Sequence, residues 1–259
     1  MSAVLKSKSK VRDRVSREEW QMRVDLAAAY QLANLYRWTD LIYTHFSARV
    51  PGTEDYLINP YGYLFDEVTA ANLVRIRPDG TTVEDPLGAG YNAAGFVIHG
   101  CVHEARPDVN CVIHTHTRAG VAVSAQKHGL LPISQHAARV YSELSYHDYE
   151  GIALDMDERK RLAADLGPTS RVMILRIHGL LTMGDTVREA FDLMYYLDCA
   201  CQIQIDALTA GQDQVLKMSE DAAKTAAKQF NRPGREATKR DWPALLRLLE
   251  RKGIDYIGE

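Results

Sequence analysis

Two histidines one residue apart, in Val112-Ile-His-Thr-His116, are the side chains of this sequence best suited to chemistry. Residues 109–113 are mostly β-branched or small and follow a Pro107-Asp108 turn signal, which predicts a short buried strand. Side chains alternate faces along a strand, so His114 and His116 point one way while Ile113 and Thr115 point the other. Two imidazoles on one face at a strand end form a chelate for a metal ion. The same pair also suits a plainer arrangement, with one ring hydrogen-bonded and the other exposed. A third ligand separates the two readings.

His178 is the third ligand the pattern offers. Arg171–Ile177 is nearly continuous in apolar residues, as a strand buried on both faces is. Alternation sets Val172, Ile174, Arg176 and His178 on one side, and Gly179 frees the backbone to turn. Ligand sites in open α/β sheets gather outside the carboxyl ends of strands, where the two histidine-bearing ends can meet. Three histidines with an open fourth position make a catalytic rather than a structural metal site. Taken singly, His178 reads as a satisfied core histidine.

The elements that must hold these residues follow from periodicity and turn signals. Ser16-Arg-Glu-Glu19 is a capping box opening a helix to about Tyr36, with Trp20, Val24, Ala27, Ala28 and Leu32 at helical spacing. Strands are expected over 42–50, 56–59 and 73–76, then a loop carrying Gly88, Gly90 and Gly95. Further helices are expected from Phe96 to about Ala105, Thr117 to about Lys127, Ser134 to Ser142, Asp157 to Leu166 and Thr186 to about Ala210. Residues 218–251 read as two helices split by Pro233-Gly234, and Tyr146 to Gly151 as irregular. The outline is one α/β domain over residues 16–212, a flexible basic arm over 1–15 and a helical C-terminal extension over 213–259.

Composition bounds the function. At 259 residues, with 46% hydrophobic and 25% charged, the chain suits a globular protein with a sizeable core. A net charge of −3 argues against nucleic acid as a partner. Cys101, Cys111, Cys199 and Cys201 lack zinc-knuckle spacing and read as reduced thiols. No apolar run is long enough to cross a bilayer and no signal peptide is apparent, so a cytoplasmic, membrane-free protein is expected.

Arg106-Pro-Asp-Val with Val-Ile-His-Thr-His116, together with Ile177-His-Gly-Leu-Leu-Thr-Met-Gly184, resembles the class II aldolase/adducin family. Thr44-His-Phe-Ser-Ala-Arg49, Leu57-Ile-Asn-Pro-Tyr-Gly62 and Glu189-Ala-Phe extend the likeness over about Ser16 to Leu208. The resemblance implies a three-layer α-β-α sandwich around a mixed, mainly antiparallel sheet, assembled as a homotetramer. It also implies one divalent metal on His114, His116 and His178: zinc first, with iron or manganese as alternatives.

The same comparison exposes departures. Aldolases of the family hold the substrate phosphate with Gly-Asn-x-Ser, where this chain has Thr44-His45-Phe46-Ser47, and with Ser-Gly where it has Tyr61-Gly62. Their Ser-Ser-Glu becomes Ala93-Ala94-Gly95, so a glycine stands where the family keeps its acid/base glutamate. An adducin-like branch is the nearer likeness, although the basic tail of adducins is not expected here. The implied activity is a metal-dependent lyase, by decarboxylation or aldol-type cleavage, on a small oxygenated carboxylate or carbonyl compound. The alternatives are a non-haem iron oxygenase and a non-catalytic adducin-like binding protein. His45 is the candidate catalytic residue, and His45, Ser47, Tyr61, Gly62 and Asn92 are candidate substrate contacts. His99 and His103 suit either a supporting layer or helix packing, Arg176 could pair with a carboxylate, and Tyr256 matches a tail tyrosine that family aldolases lend to a neighbouring subunit.

Overall fold

The computed structural model describes residues 10–151, 156–230 and 237–258. Its strands are β1 (His45–Arg49), β2 (Tyr56–Ile58), β3 (Val74–Ile76), β4 (Thr82–Glu84), β5 (Cys111–Thr115), β6 (Leu144–His147), β7 (Val172–Leu175) and β8 (Gly179–Gly184). They form one sheet in the order β4-β3-β2-β1-β5-β8-β7-β6. Only the β6–β7 pair is parallel. The helices are α1 (Arg17–Leu35), α2 (Ala93–Ala105), α3 (Arg118–Ser124), α4 (Gln135–Val140), α5 (Met156–Leu166), α6 (Val187–Leu208), α7 (Glu220–Phe230) and α8 (Ala237–Arg251).

Strand alternation divides the interior into two cores. Phe46, Ala48, Cys111, Ile113, Val172, Ile174 and Leu180 face a layer containing α1, α3, α4, α6 and α8. Val112, Met173, Leu175, Leu181 and Met183 face α2 and α5. The mixed sheet is therefore the middle of three layers, as the family resemblance implies. Ser16, Asn92, Thr117, Ser134 and Thr186 each accept a backbone N–H three residues on, which starts α1, α2, α3, α4 and α6. The capping box at Ser16 is only half formed, because the Glu19 carboxylate turns to Arg23 and Arg75 instead.

Several expectations need correction. The strand predicted to run to Ile177 stops at Leu175, and residues 176–178 are a turn into β8, which the sequence reading missed along with β4 and β6. Of the expected N-terminal arm, residues 1–9 lie outside the described residues. Beyond them Val11 is buried in a single 3-10 turn and Arg14 pairs with Glu84. Pro233-Gly234 also lies outside the described residues. Of the C-terminal helices, α8 joins the main core, since Trp242 and Leu249 are buried in it. Among the described residues no helix is long and apolar enough to cross a membrane.

Candidate metal centre

The end of β5 and the start of β8 lie side by side, with Thr115 opposite Leu180 and His114 opposite Leu181. This register brings the turn holding His178 against His114 of β5 and His116 just beyond its end. The three ring centroids stand 4.7, 4.8 and 4.9 Å apart, and one nitrogen from each ring lies within 4.8 Å of the others. His114 Nδ1 is 2.9 Å from the Leu180 carbonyl, so that nitrogen carries the proton. His116 Nδ1 is likewise 2.9 Å from the Asp40 carboxylate. With both rings in the neutral form that a metal ligand requires, the two Nε2 atoms present lone pairs to each other at 2.9 Å. Two lone pairs at that distance repel unless a cation joins them, and a carboxylate behind a ligand histidine is the usual support of a metal site. The donor set therefore fits a divalent ion. Burial holds His114 well below the usual histidine range and lowers His178 to about 4, which keeps both rings neutral as ligands must be.

The backbone around the site is strained. Leu41, Thr44 and Ile177 have φ of 50°, 67° and 59°, and each adjoins a site residue: Asp40, His45 or His178. Left-handed geometry costs on the order of 1–2 kcal/mol for such side chains, most clearly for β-branched Thr44 and Ile177.

A pocket of about 460 Å³ opens on the triad. His45 lies in its wall, directly opposite His114 on the neighbouring strand. The ring is 3% exposed, and Nδ1, Nε2 and the nearby Thr44 hydroxyl have no hydrogen-bond partner among the described residues. Desolvation pulls the His45 pKa down to about 4. Gly95, in the first turn of α2, lies against this ring. A Cβ added there would sit 2.2 Å from His45 Cε1 and 2.5 Å from Nε2. The imidazole thus fills the space a side chain at position 95 would need.

Behind His45 runs a buried polar line. The rings of His45 and His99 are 4.2 Å apart. Ser47 Oγ bridges His99 Nδ1 at 2.7 Å and His103 Nε2 at 2.9 Å, and His103 Nδ1 reaches the Val109 carbonyl at 3.3 Å. His99 and His103 are one turn apart on α2, which aims both at β1. Desolvation keeps His99 well below the ordinary histidine range and lowers His103 to about 3.

Of the candidate contacts, His45, Tyr61 and Asn92 line the pocket, while Asn92 also caps α2 by accepting the Gly95 N–H at 3.4 Å. Ser47 does not reach it, because its hydroxyl is consumed by the two histidines behind. Gly62 is a turn residue with φ of 85° outside the lining. Arg176 faces away: its guanidinium stacks 4.2 Å over Tyr146 and donates to the Gln126 carbonyl. Tyr256 packs on the core of its own chain, with its carbonyl accepting from the Ala70 N–H. Asp40, Tyr43 and Tyr149 were missed. No local pattern marks Asp40, which meets His116 across 76 residues of sequence.

Residues 24–205 match the family model described as Class II Aldolase and Adducin N-terminal domain. A Pseudomonas aeruginosa protein named provisionally as an aldolase class 2 protein is 47% identical over 262 residues, covering 99% of each chain. Rat alpha-adducin is 40% identical over 90% of this chain, which spans 33% of the adducin. Among solved structures, an aldolase II superfamily protein from Pseudomonas syringae is 56% identical with a TM-score of 0.92, covering 95% of this chain and 98% of that one. An L-fuculose 1-phosphate aldolase from Glaciozyma antarctica is 25% identical with a TM-score of 0.80, covering 93% of each.

Proposed function

This chain belongs to the class II aldolase and adducin family, and from that premise we propose that it is a metal-dependent carbon–carbon lyase acting on a small oxygenated carboxylate or carbonyl compound. The observation that carries the reading is the meeting of His114, His116 and His178 beside a pocket whose remaining imidazole, His45, is unpartnered. The three histidines would hold the ion, for which zinc is the first choice and iron or manganese the alternatives. When bound, the ion supplies Lewis acidity that stabilises negative charge on a substrate oxygen.

The protein's own contribution is a relocated proton carrier. Gly95 has no side chain to move a proton, and the space it leaves belongs to His45. Burial keeps His45 neutral at physiological pH, the form able to take up a proton and return it. Decarboxylation suits this arrangement best, since loss of carbon dioxide needs no prior removal of a proton from carbon. The electron pair left behind then takes a proton that comes from water, and His45, the lining imidazole not committed to the metal, is placed to relay it. Tyr61 and Asn92 would border the substrate.

Similarity to alpha-adducin favours a second reading, a non-catalytic binding module. The intact triad and the carboxylate behind His116 weigh against it. Family membership further supports a homotetramer, and a cytoplasmic location goes with this reading. The test is elemental analysis of protein purified without chelator. One divalent ion per chain, lost in His114→Ala and His178→Ala variants that still fold, is the expected result. A metal-free protein whose triad variants behave as the parent would overturn the reading. Oxygen uptake seen only with ferrous ion would turn it towards an oxygenase.

A further inference from the structure

We propose that Ser47, His99 and His103 are positioning residues for His45: the hydrogen bonds that join them fix which of its two ring nitrogens carries the proton. The use of that arrangement in the reaction rests on the lyase reading above; the hydrogen bonds themselves do not depend on it. Two periodicities bring the side chains together. His45 and Ser47 share one face of β1, two residues apart. Gly95, His99 and His103 follow one another at four-residue spacing along α2 and lie against that face, Gly95 and His99 on His45 and both histidines on Ser47.

The direction of the line follows from its far end. The Val109 carbonyl can only accept, so His103 donates to it from Nδ1. Burial keeps His103 and His99 neutral, which leaves His103 Nε2 as a lone pair. Ser47 Oγ, 2.9 Å away, gives its one proton to that nitrogen. The hydroxyl can then only accept from His99, 2.7 Å away, so His99 carries its own proton on Nδ1. His99 Nε2 is thereby a lone pair, buried and without a hydrogen-bond partner among the described residues. The His45 ring lies 4.2 Å from it, centre to centre, and its nitrogens are also unpartnered. A neutral imidazole has one N–H and one lone pair. Beside a fixed lone pair in a place without water, the N–H belongs on the nitrogen of His45 nearer His99. The other nitrogen is then the lone pair that takes up a proton. Because the line ends on a carbonyl, which has no proton to give, it orients His45 and does not conduct protons to it.

The test reads the proton positions directly, by long-range proton–nitrogen NMR of the full-length protein carrying isotope-labelled histidine, at neutral pH, with and without zinc. His99 and His103 should each show a single form protonated on Nδ1, and His45 a single form. These spectra decide the direction of the line without any variant. Ser47→Ala breaks the line while removing only a hydroxyl, and His99 and His45 should then lose their single forms and show both. Ser47→Thr keeps a hydroxyl and should retain them. A line that serves packing alone would leave His45 unmoved by Ser47→Ala, and that result would overturn the positioning role. An Nε2-protonated His99 or His103 in the parent protein would overturn the direction. Metal content of the same samples tests the lyase reading separately, since an absent metal leaves the forms of His99 and His103 as they are.

Discussion

Replacing Gly95 by alanine tests whether His45 has taken over the space at position 95. Gly95 is the third residue of α2 and its φ is not left-handed, so the backbone alone favours alanine by up to about 1 kcal/mol. The added Cβ would, however, lie 2.2–2.6 Å from three atoms of the His45 ring. That ring cannot step aside freely, since His99 stands 4.2 Å away and His114 5.6 Å away. Overpacking of this kind costs about 1–3 kcal/mol. The net effect of Gly95→Ala is then a loss of about 1–2 kcal/mol, or roughly 2–8 °C in Tm for a chain of this length. In a His45→Ala background the clash is gone and the helix preference remains, so the same substitution should become neutral or stabilising. Thermal unfolding of the four proteins gives the coupling between the two positions, expected at about 2–3 kcal/mol. An equal rise in Tm in both backgrounds would refute the reasoning.

Asp40→Asn should weaken zinc about tenfold to a hundredfold in equilibrium dialysis, because the carboxylate behind His116 is lost while all three ligands stay. Chelation of the loaded protein should lower Tm, and re-adding zinc at a hundred times its Kd should restore about 2.7 kcal/mol. His103 is pushed down to about 3 by burial, against an ordinary value near 6.5. The unfolded chain therefore takes up its proton first as pH falls, and stability is whole above pH 6.5 and lost as pH drops towards 3, at up to about 1.4 kcal/mol per pH unit for this group. Urea unfolding against pH should show a shallower fall in His103→Gln. Arg176→Ala should cost about 1 kcal/mol of stability through its lost contact with Tyr146, yet leave metal content unchanged.

Much of the site was legible because it depends on local pattern. The β5 residues predict a buried strand, with His114 in it and His116 just past its end, a pair that suits either a chelate or a plainer hydrogen-bonded arrangement. The expectation for His178 rests on a premise that the fold does not meet. This histidine was expected on a strand face, but β7 has already ended and a left-handed Ile177 swings the ring inward. Arg176 failed for the same reason, since the turn that delivers His178 sends its neighbour outward. Ser47 failed because alternation gives a face and not a depth: it shares the face of His45 but sits under α2, where His99 and His103 claim its hydroxyl. At three and four residues, β4 and β6 are too short for their patterns to stand out as strands. The meaning of Gly95 and the role of Asp40 are contacts between distant segments, which no window of sequence contains.

The way β5, β8 and the α1–β1 connection come together also governs the order of events when the protein folds. The carbonyl that orients His114 is 66 residues away in sequence, and the carboxylate that orients His116 is 76 residues away. Both long loops must close before the triad exists, so the unfolded chain presents only the His114-Thr-His116 pair to a metal. An ion that needs all three histidines cannot seed the fold; it can only lock it once made. Metal should therefore slow unfolding and leave the folding rate nearly untouched, the behaviour of a contact absent from the transition state.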